Sequence, residues 1–347
     1  MYTIKQVSKM LNCNANAIRF YEKKGLISPL REENGYRIFT PKDIDQLQFI
    51  ILYRKLGFSI DAIKRLCKDE DKSKLEVYAS QFNILNGHIH SMMKIRDVLK
   101  DAIDELLENN LQTESTVNML EETTKAIGEM AQWKDVWNFD SWAVNYDTDV
   151  LKPGSKGLKF YQNYDKVLER TAKEVGIKGG LVAEIGLGTG NLTRKMIENE
   201  RISIDDIVGI DQSLNMLIEA KKKLPKVKLM LGTFLALPLQ ENCCDTIVST
   251  YAFHHCNEME KSLAIQEMDR TLRQGGRIII TDLMFENKDA RNQFSKNCTQ
   301  WEREDLEDEF FANVDELQTI FLSNGYQFRC ERIDELIWMV VAQKMRS

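Results

Sequence analysis

The sequence predicts a multidomain chain: a small all-helical head carrying a β-wing, one long coiled-coil helix, and an α/β body on a mostly parallel sheet. Three observations predict it. Residues 1–68 carry 13 lysines and arginines against 6 acids, a net of +7, which leaves 34 against 47, or −13, for the rest. Residues 75–106 hold a seven-residue apolar repeat, and from Leu181 onward five short apolar runs alternate with helical segments. A basic head on an acidic body meets a polyanion with the head alone. A chain of 347 residues has room for two or three such domains. No run of about 18 apolar residues marks a membrane span, and Met1-Tyr2-Thr3-Ile4-Lys5 lacks a signal-peptide pattern, so a cytoplasmic location is expected. The seven cysteines form no Cys-x-x-Cys pair, which predicts free thiols and neither disulfides nor a metal site.

The head opens with Thr3 as an N-cap and apolar residues at Ile4, Val7, Met10 and Leu11, a short amphipathic helix. Asn12-Cys13-Asn14 is a turn, with Asn14 placed to cap a second helix from Ala15 to Lys24 that stops at Gly25. Two short helices around a tight turn, the second bearing Asn16, Arg19 and Tyr21, make a helix-turn-helix. Asn34-Gly35 is a hairpin turn followed by alternation through Thr40, so a β-wing follows, with Tyr36 and Arg37 suited to phosphate contacts. Thr40-Pro41 then starts a helix that runs to Lys55, and another spans Ser59 to Lys68.

Ile18-Arg19-Phe20-Tyr21-Glu22-Lys23-Lys24-Gly25-Leu26-Ile27, Asn34-Gly35-Tyr36-Arg37 and Leu56-Gly57-Phe58-Ser59 resemble the winged helix-turn-helix head of MerR-type transcription regulators, without a gap over residues 1–70. The resemblance implies an antiparallel homodimer on a palindromic promoter operator in double-stranded DNA, distorted to switch transcription. Carried over by position, Asn16, Arg19 and Tyr21 on the second helix and Tyr36 and Arg37 on the wing would contact DNA; alternatively Tyr21 and Tyr36 only pack the head. The family's metal sensors carry cysteines at the start of the dimer helix and just past it. Neither place holds one here, so no metal effector is expected.

Between the head and the body lies the stem, residues 71–108. One seam holds Leu75, Phe82, Ile89, Arg96 and Ile103, the other Tyr78, Leu85, Met92, Leu99 and Leu106, so nine of ten seam positions are apolar or aromatic. Such a helix over residues 75–106 is about 48 Å long, and a stripe that narrow calls for a second copy of itself. A linker, 109–138, follows, with a helix over Val117 to Met130. Trp133, Trp137, Phe139 and Trp142 either pack on a domain surface or line a ligand pocket.

The body, 139–347, alternates the runs Leu181–Ile185, Ile207–Ile210, Lys228–Leu231, Thr246–Ser249 and Arg277–Thr281 with helical segments, which predicts a parallel sheet covered on both faces. Gly325–Phe328 and Leu336–Ala342 close it as an antiparallel pair. After the first strand, Glu184-Ile185-Gly186-Leu187-Gly188-Thr189-Gly190-Asn191 is a strand-to-helix turn whose glycines let backbone approach a ligand. Asp211 ends the second strand, where an acid can accept from both hydroxyls of a nucleoside ribose. Glu184, ahead of the glycines, suits a ligand with a cationic end.

This pattern resembles class I S-adenosylmethionine (AdoMet) methyltransferases, Rossmann-like domains with a seven-stranded sheet. Phe139–Asp147 and Asp245–His255 look like a bacterial small-molecule group of that class. The resemblance implies that Glu184 meets the methionine ammonium, that Gly186, Gly188 and Gly190 pass beneath it, and that Asp211 holds the ribose. Gln212, Thr233, Phe234 and Thr250 complete the expected cofactor set. Thr233 stands where many relatives place an acid for the adenine amino group. His254 or His255 either serves as the base that activates a methyl acceptor or makes only structural hydrogen bonds. Tyr146 and Trp142 are placed to close the site, and Asp282 to reach it. The expected function is a MerR-type regulator whose body binds AdoMet, releases S-adenosylhomocysteine (AdoHcy) and methylates a small molecule, a toxin or a drug. The alternative is a regulator that senses AdoMet, AdoHcy or a drug without turnover.

Overall fold

In the computed structural model the described residues are 1–32, 35–55, scattered positions from 58 to 92, and 139–151, 158–176, 180–199 and 202–346. They fall into two compact units, Met1–Gln81 and Phe82–Ser347.

Thr3 caps α1 (Ile4–Met10) in a capping box with Gln6, which satisfies two N–H groups that a first helical turn leaves open. Asn14 caps α2 (Ala15–Lys23) by accepting from the Asn16 N–H, and Gly25 turns the chain away at φ +70°. Strands β1 (Tyr2–Thr3), β2 (Leu30–Arg31) and β3 (Arg37–Phe39) form an antiparallel wing in the order β1-β3-β2. The first of these was not legible, because two residues are too few to show alternation. Helix α3 (Pro41–Lys55) ends where the sequence places its end. Val7, Ile18, Phe39, Leu47 and Ile50 are wholly buried and form the head's core.

Asn34, most of the helix expected from Ser59, seam positions 96, 99, 103 and 106, the linker helix, Trp133 and Trp137 lie outside the described residues. The described seam residues Leu75, Tyr78, Phe82, Leu85, Ile89 and Met92 are helical. Four of them, Leu75, Tyr78, Ile89 and Met92, leave large apolar side chains exposed on the single chain.

In the second unit, α4 (Phe139–Trp142), α5 (Tyr146–Asp149) and α6 (Tyr164–Val175) lead into β4 (Val182–Ile185). Then come α7 (Asn191–Glu198), β5 (Ile207–Asp211), α8 (Leu214–Lys223), β6 (Lys228–Leu231), β7 (Cys244–Thr250), α9 (Glu258–Thr271) and β8 (Leu272–Phe285). The rest is α10 (Lys288–Asn297), α11 (Gln300–Asp308), β9 (Ala312–Asn313), α12 (Val314–Ser323), β10 (Tyr326–Arg332) and β11 (Ile337–Lys344). The sheet runs β10-β11-β8-β7-β4-β5-β6, parallel from β8 to β6 and antiparallel at β10 and β11. Val182, Val248 and Ile279 face one apolar core and Ala183, Ile247 and Ile278 the other, the pattern of strands covered on both faces.

Two details correct the sequence reading. A short eighth strand, β9, pairs with β8 outside the seven-stranded path. Strand β8 extends well beyond Arg277–Thr281 at both ends. Gly275-Gly276 disguises its start, and Asp282 looks like an end but stays inside because hydrogen bonds satisfy it. Among the described residues no helix is long and apolar enough to cross a membrane, and the described cysteines are free thiols.

Candidate functional site

Strands β4 to β7 run parallel and therefore end at one edge of the sheet, the edge where open α/β sheets bind ligands. The glycine turn leaves β4 there. Gly186 and Leu187 donate their N–H groups to Ile210 O at 2.9 and 3.0 Å, so β4 stays paired with β5 into the turn. Gly186 and Gly188 have φ of +72° and +56°, a region that side chains disfavour. They differ in what surrounds them. A Cβ on Gly186 would lie 2.2 Å from Ala252 Cβ, whereas one on Gly188 would meet nothing within 4 Å. Gly188 therefore borders open space, the room the sequence reading reserved for a ligand. Its N–H donates to Asp211 Oδ2 at 2.7 Å, and Ser213 N–H donates to Oδ1 at 2.8 Å. Asp211 is thus fixed at the end of β5.

Glu184 sits under the turn, 1% exposed. Thr193 on α7 donates to its carboxylate, and no basic side chain among the described residues is paired with it. Burial pushes this carboxyl up to about 8. A cation beside it would reverse that shift.

A clasp joins α5 to the glycine turn. Asp147 accepts from Thr189 Oγ1 at 2.5 Å and Asn191 Nδ2 at 2.9 Å, and pairs with Lys223 on α8. Burial works against its charge, but the Lys223, Thr189 and Asn191 bonds prevail and hold the carboxyl below its usual range. Next to it, Tyr146 packs edge-on against Trp142, 4.8 Å between centroids, and hydrogen-bonds Tyr164. Burial drives the Tyr146 phenol well above its usual range. Tyr161, Tyr164 and Tyr251 stack about one another with centroids 5.2 to 5.8 Å apart.

Beyond β7 the chain bends sharply at Tyr251, φ +51°. The N–H groups of Ala252, Phe253 and His254 then converge on Asp282 Oδ2 at 3.0, 2.6 and 3.3 Å. Asp282 Oδ1 accepts from His254 Nδ1 at 2.5 Å, which fixes a proton on Nδ1, so that in the neutral imidazole Nε2 carries the lone pair. Burial disfavours the imidazolium, yet Asp282 outweighs it and raises the His254 pKa, while His255 is driven down to about 4 by burial and then by His254's charge. Glu309 closes this corner, its Oε2 at 3.3 Å from His255 Nδ1 and 3.8 Å from His254 Nε2. The sequence reading missed Glu309.

The remaining cofactor positions are on the same edge. Phe234 meets Phe253 edge-on at 5.7 Å, its ring 3.8 Å from where a Gly186 Cβ would be. Thr233 uses its hydroxyl on its own turn, accepting from Leu235 N–H at 3.2 Å. Thr250 is buried at the end of β7, and Gln212 is half-buried after Asp211.

On the head, Tyr36 is 72% exposed at the wing. Arg37 is tied to Glu22 at 2.6 Å, and Arg19 donates to Asn16 Oδ1 at 2.7 Å. Tyr21, expected on the contact surface, has its ring in the head's core, because its position on α2 faces inward beside Ile18. Phe20, exposed beside it with Lys24 Nζ 5.7 Å over its ring, is a surface aromatic that the sequence reading passed over.

Residues 2–70 match the family of MerR HTH regulatory proteins, and residues 183–280 match a methyltransferase domain. The chain is 35% identical over 211 residues to an "uncharacterized methyltransferase" of Alkaliphilus oremlandii, covering 59% of this chain and 95% of that one. It is 33% identical over 210 residues to a protein of the same name from Anoxybacillus flavithermus, covering 59% and 96%. Among solved structures, the DhpI-SAM-HEP complex aligns with 59% of this chain and 93% of its own at a TM-score of 0.45 and 15% identity.

Proposed function

We propose a function from one premise: the chain belongs to the methyltransferase family, and it joins that domain to a MerR-type helix-turn-helix head. It is a DNA-binding regulator fused to an AdoMet methyltransferase. In our reading the body binds AdoMet, methylates a small molecule, and couples that site to a promoter held by the head.

The residues present fit AdoMet. The observation that carries the reading is Asp211, pinned by the Gly188 and Ser213 N–H groups beside a glycine that borders open space. Asp211 would hold the ribose hydroxyls, and Glu184 the ammonium, directly or through water. When bound, AdoMet supplies a methyl group on a sulfonium, a good leaving group, so this chain's contribution is largely positioning. Asp147 draws Tyr146 and Trp142 onto the glycine turn and screens that end from water. At the other end, Asp282 holds the His254 ring so that Nε2, in the neutral imidazole, can bind a proton or a metal ion. Two copies pair through residues 75–106, for which the exposed apolar side chains of Leu75, Tyr78, Ile89 and Met92 are the support, and a dimer matches a palindromic operator.

The test is calorimetric titration with AdoMet and AdoHcy on wild type and Asp211→Ala. Losing two charge-assisted hydrogen bonds should cost about 3 kcal/mol or more, roughly a hundredfold in affinity. Binding that survives the substitution unchanged, or no binding of either nucleoside, would sink the reading. AdoMet binding with no methyl transfer in an acceptor screen would favour the sensor alternative.

A further inference from the structure

The corner made by His254, His255 and Glu309 carries more than a base. We propose that these three side chains bind one divalent transition-metal ion of the zinc class, with Asp282 orienting His254 from behind. One ligand atom from each of His254, His255 and Glu309 lies within 4.8 Å of the other two. In a tetrahedral site with bonds of about 2.0–2.1 Å, ligand atoms are about 3.3–3.4 Å apart. Of the separations from Glu309, the 3.3 Å to His255 Nδ1 matches that edge and the 3.8 Å to His254 Nε2 exceeds it by a few tenths of an ångström.

Three further observations separate this from a packed ion pair. At 3.8 Å, His254 Nε2 and Glu309 are too far apart to share a hydrogen, while a metal ion between them spans that gap. Glu309 Oε2 is sealed from solvent, and its 3.3 Å approach to His255 Nδ1 falls short of good hydrogen-bond geometry, with no other hydrogen-bond partner for it among the described residues. Asp282 takes His254 Nδ1 at 2.5 Å, the carboxylate-histidine arrangement that orients a metal-binding imidazole. The corner is also built to stay in place. Phe310 N–H donates to His254 O at 3.1 Å, and Lys261 donates to Cys256 O and Phe310 O, which ties the Glu309 segment to the histidine turn. Two carboxylates, Asp282 and Glu309, face one ammonium whose hydrogens are engaged by carbonyls, a balance that favours a dication. Three protein ligands leave a fourth position open, as an ion that works on a bound acceptor requires. The site does not depend on the AdoMet reading.

The full-length reduced protein, stripped with a chelator, is titrated with Co²⁺ and followed by the visible absorption of tetrahedral cobalt. We expect one ion per chain, at least a hundredfold weaker binding in Glu309→Gln and in His255→Gln, and a ten- to hundredfold loss in Asp282→Asn. AdoMet titration of each variant checks the fold independently. On wild type alone, zinc should raise the thermal midpoint by mass action on the folded state. No cobalt uptake, a thiolate-to-cobalt charge-transfer band that puts the ion on cysteines, unchanged affinity in Glu309→Gln, or no thermal shift with zinc would each overturn the proposal.

Discussion

The two ends of the body's binding edge are built in different ways. At the nucleoside end, function resides in backbone: Gly186, Gly188 and the N–H groups that pin Asp211 all come from two strand-ending turns. At the histidine end, the proposed site is built from side chains gathered from distant segments, His254 after β7, Asp282 inside β8 and Glu309 past α11. The first design fixes shape and tolerates almost no substitution at the turn. The second fixes charge, and its members can be changed one at a time.

The largest effect should fall on the first design. Gly186→Ala places a methyl 2.2 Å from Ala252 Cβ at a left-handed φ, and should lower stability by about 3 kcal/mol. Gly188→Ala has the same handedness but open space, and should cost about 1 kcal/mol while still losing AdoMet affinity. Urea unfolding of both proteins checks this. Equal losses would mean that conformation alone, not close approach, dictates the turn.

Glu184 links backbone shape to charge. Its carboxyl titrates near 8 in the unbound fold, above the usual carboxylate range, so below that pH a cationic ligand must expel a proton to bind. Affinity for AdoMet should therefore rise with pH between about 6 and 7.5, by up to tenfold per unit. The sign is opposite for the unbound fold, which loses stability as pH climbs from 4.5 toward 8, because burial penalises the ionised form that the unfolded chain adopts freely. Calorimetry of wild type and Glu184→Gln tests this: the variant should be flat over the same range, and a wild type equally flat would remove Glu184 from the ligand's cationic end.

These differences explain what the sequence could reveal. A tight turn demands glycine and a strand end displays its acid, so Gly186, Gly188 and Asp211 were readable from local spacing. The parallel strands were readable from apolar runs, since strands covered on both faces leave little choice of residue, but their order in the sheet was not. Glu309 was not, because it stands among Glu304, Asp305, Glu307 and Asp308, a charge run that normally marks a solvated helix face. His254 and Asp282 meet across 28 positions, and nothing in the spacing announces that pairing. Which of the two readings of Tyr21 its ring follows was not legible for a related reason: a resemblance assigns a residue to a helix without fixing which way its ring faces.

Asp147 is a middle case, a side chain from one end's lid fastened to the other design's backbone turn. Asp147→Asn keeps the shape but removes the charge that Lys223 pairs with. Because the carboxylate is about half exposed, the loss should be only about 1 kcal/mol. The folded carboxyl titrates below its usual value of 3.8, so the wild type should hold this contribution above that pH and lose it as pH falls through the lowered value. Thermal melts from neutral to acidic pH should show the two proteins converging, and parallel curves would deny the clasp an electrostatic part.

The smallest expected effect is the sharpest probe of the histidine end. Tyr251 is 6% exposed, holds a left-handed φ of +51°, and buries a hydroxyl with no hydrogen-bond partner among the described residues. A structural tyrosine would have found a partner, because an unsatisfied buried hydroxyl is a cost to the fold. Tyr251→Phe keeps the ring that packs on Tyr161 and Tyr164, so stability should hold or rise by up to about 1 kcal/mol. Methyl transfer, or acceptor affinity where turnover is absent, should fall. A variant that is more stable and less active identifies the hydroxyl as a group kept for the acceptor; one that is less stable assigns it to the fold and moves the acceptor away from the tyrosines.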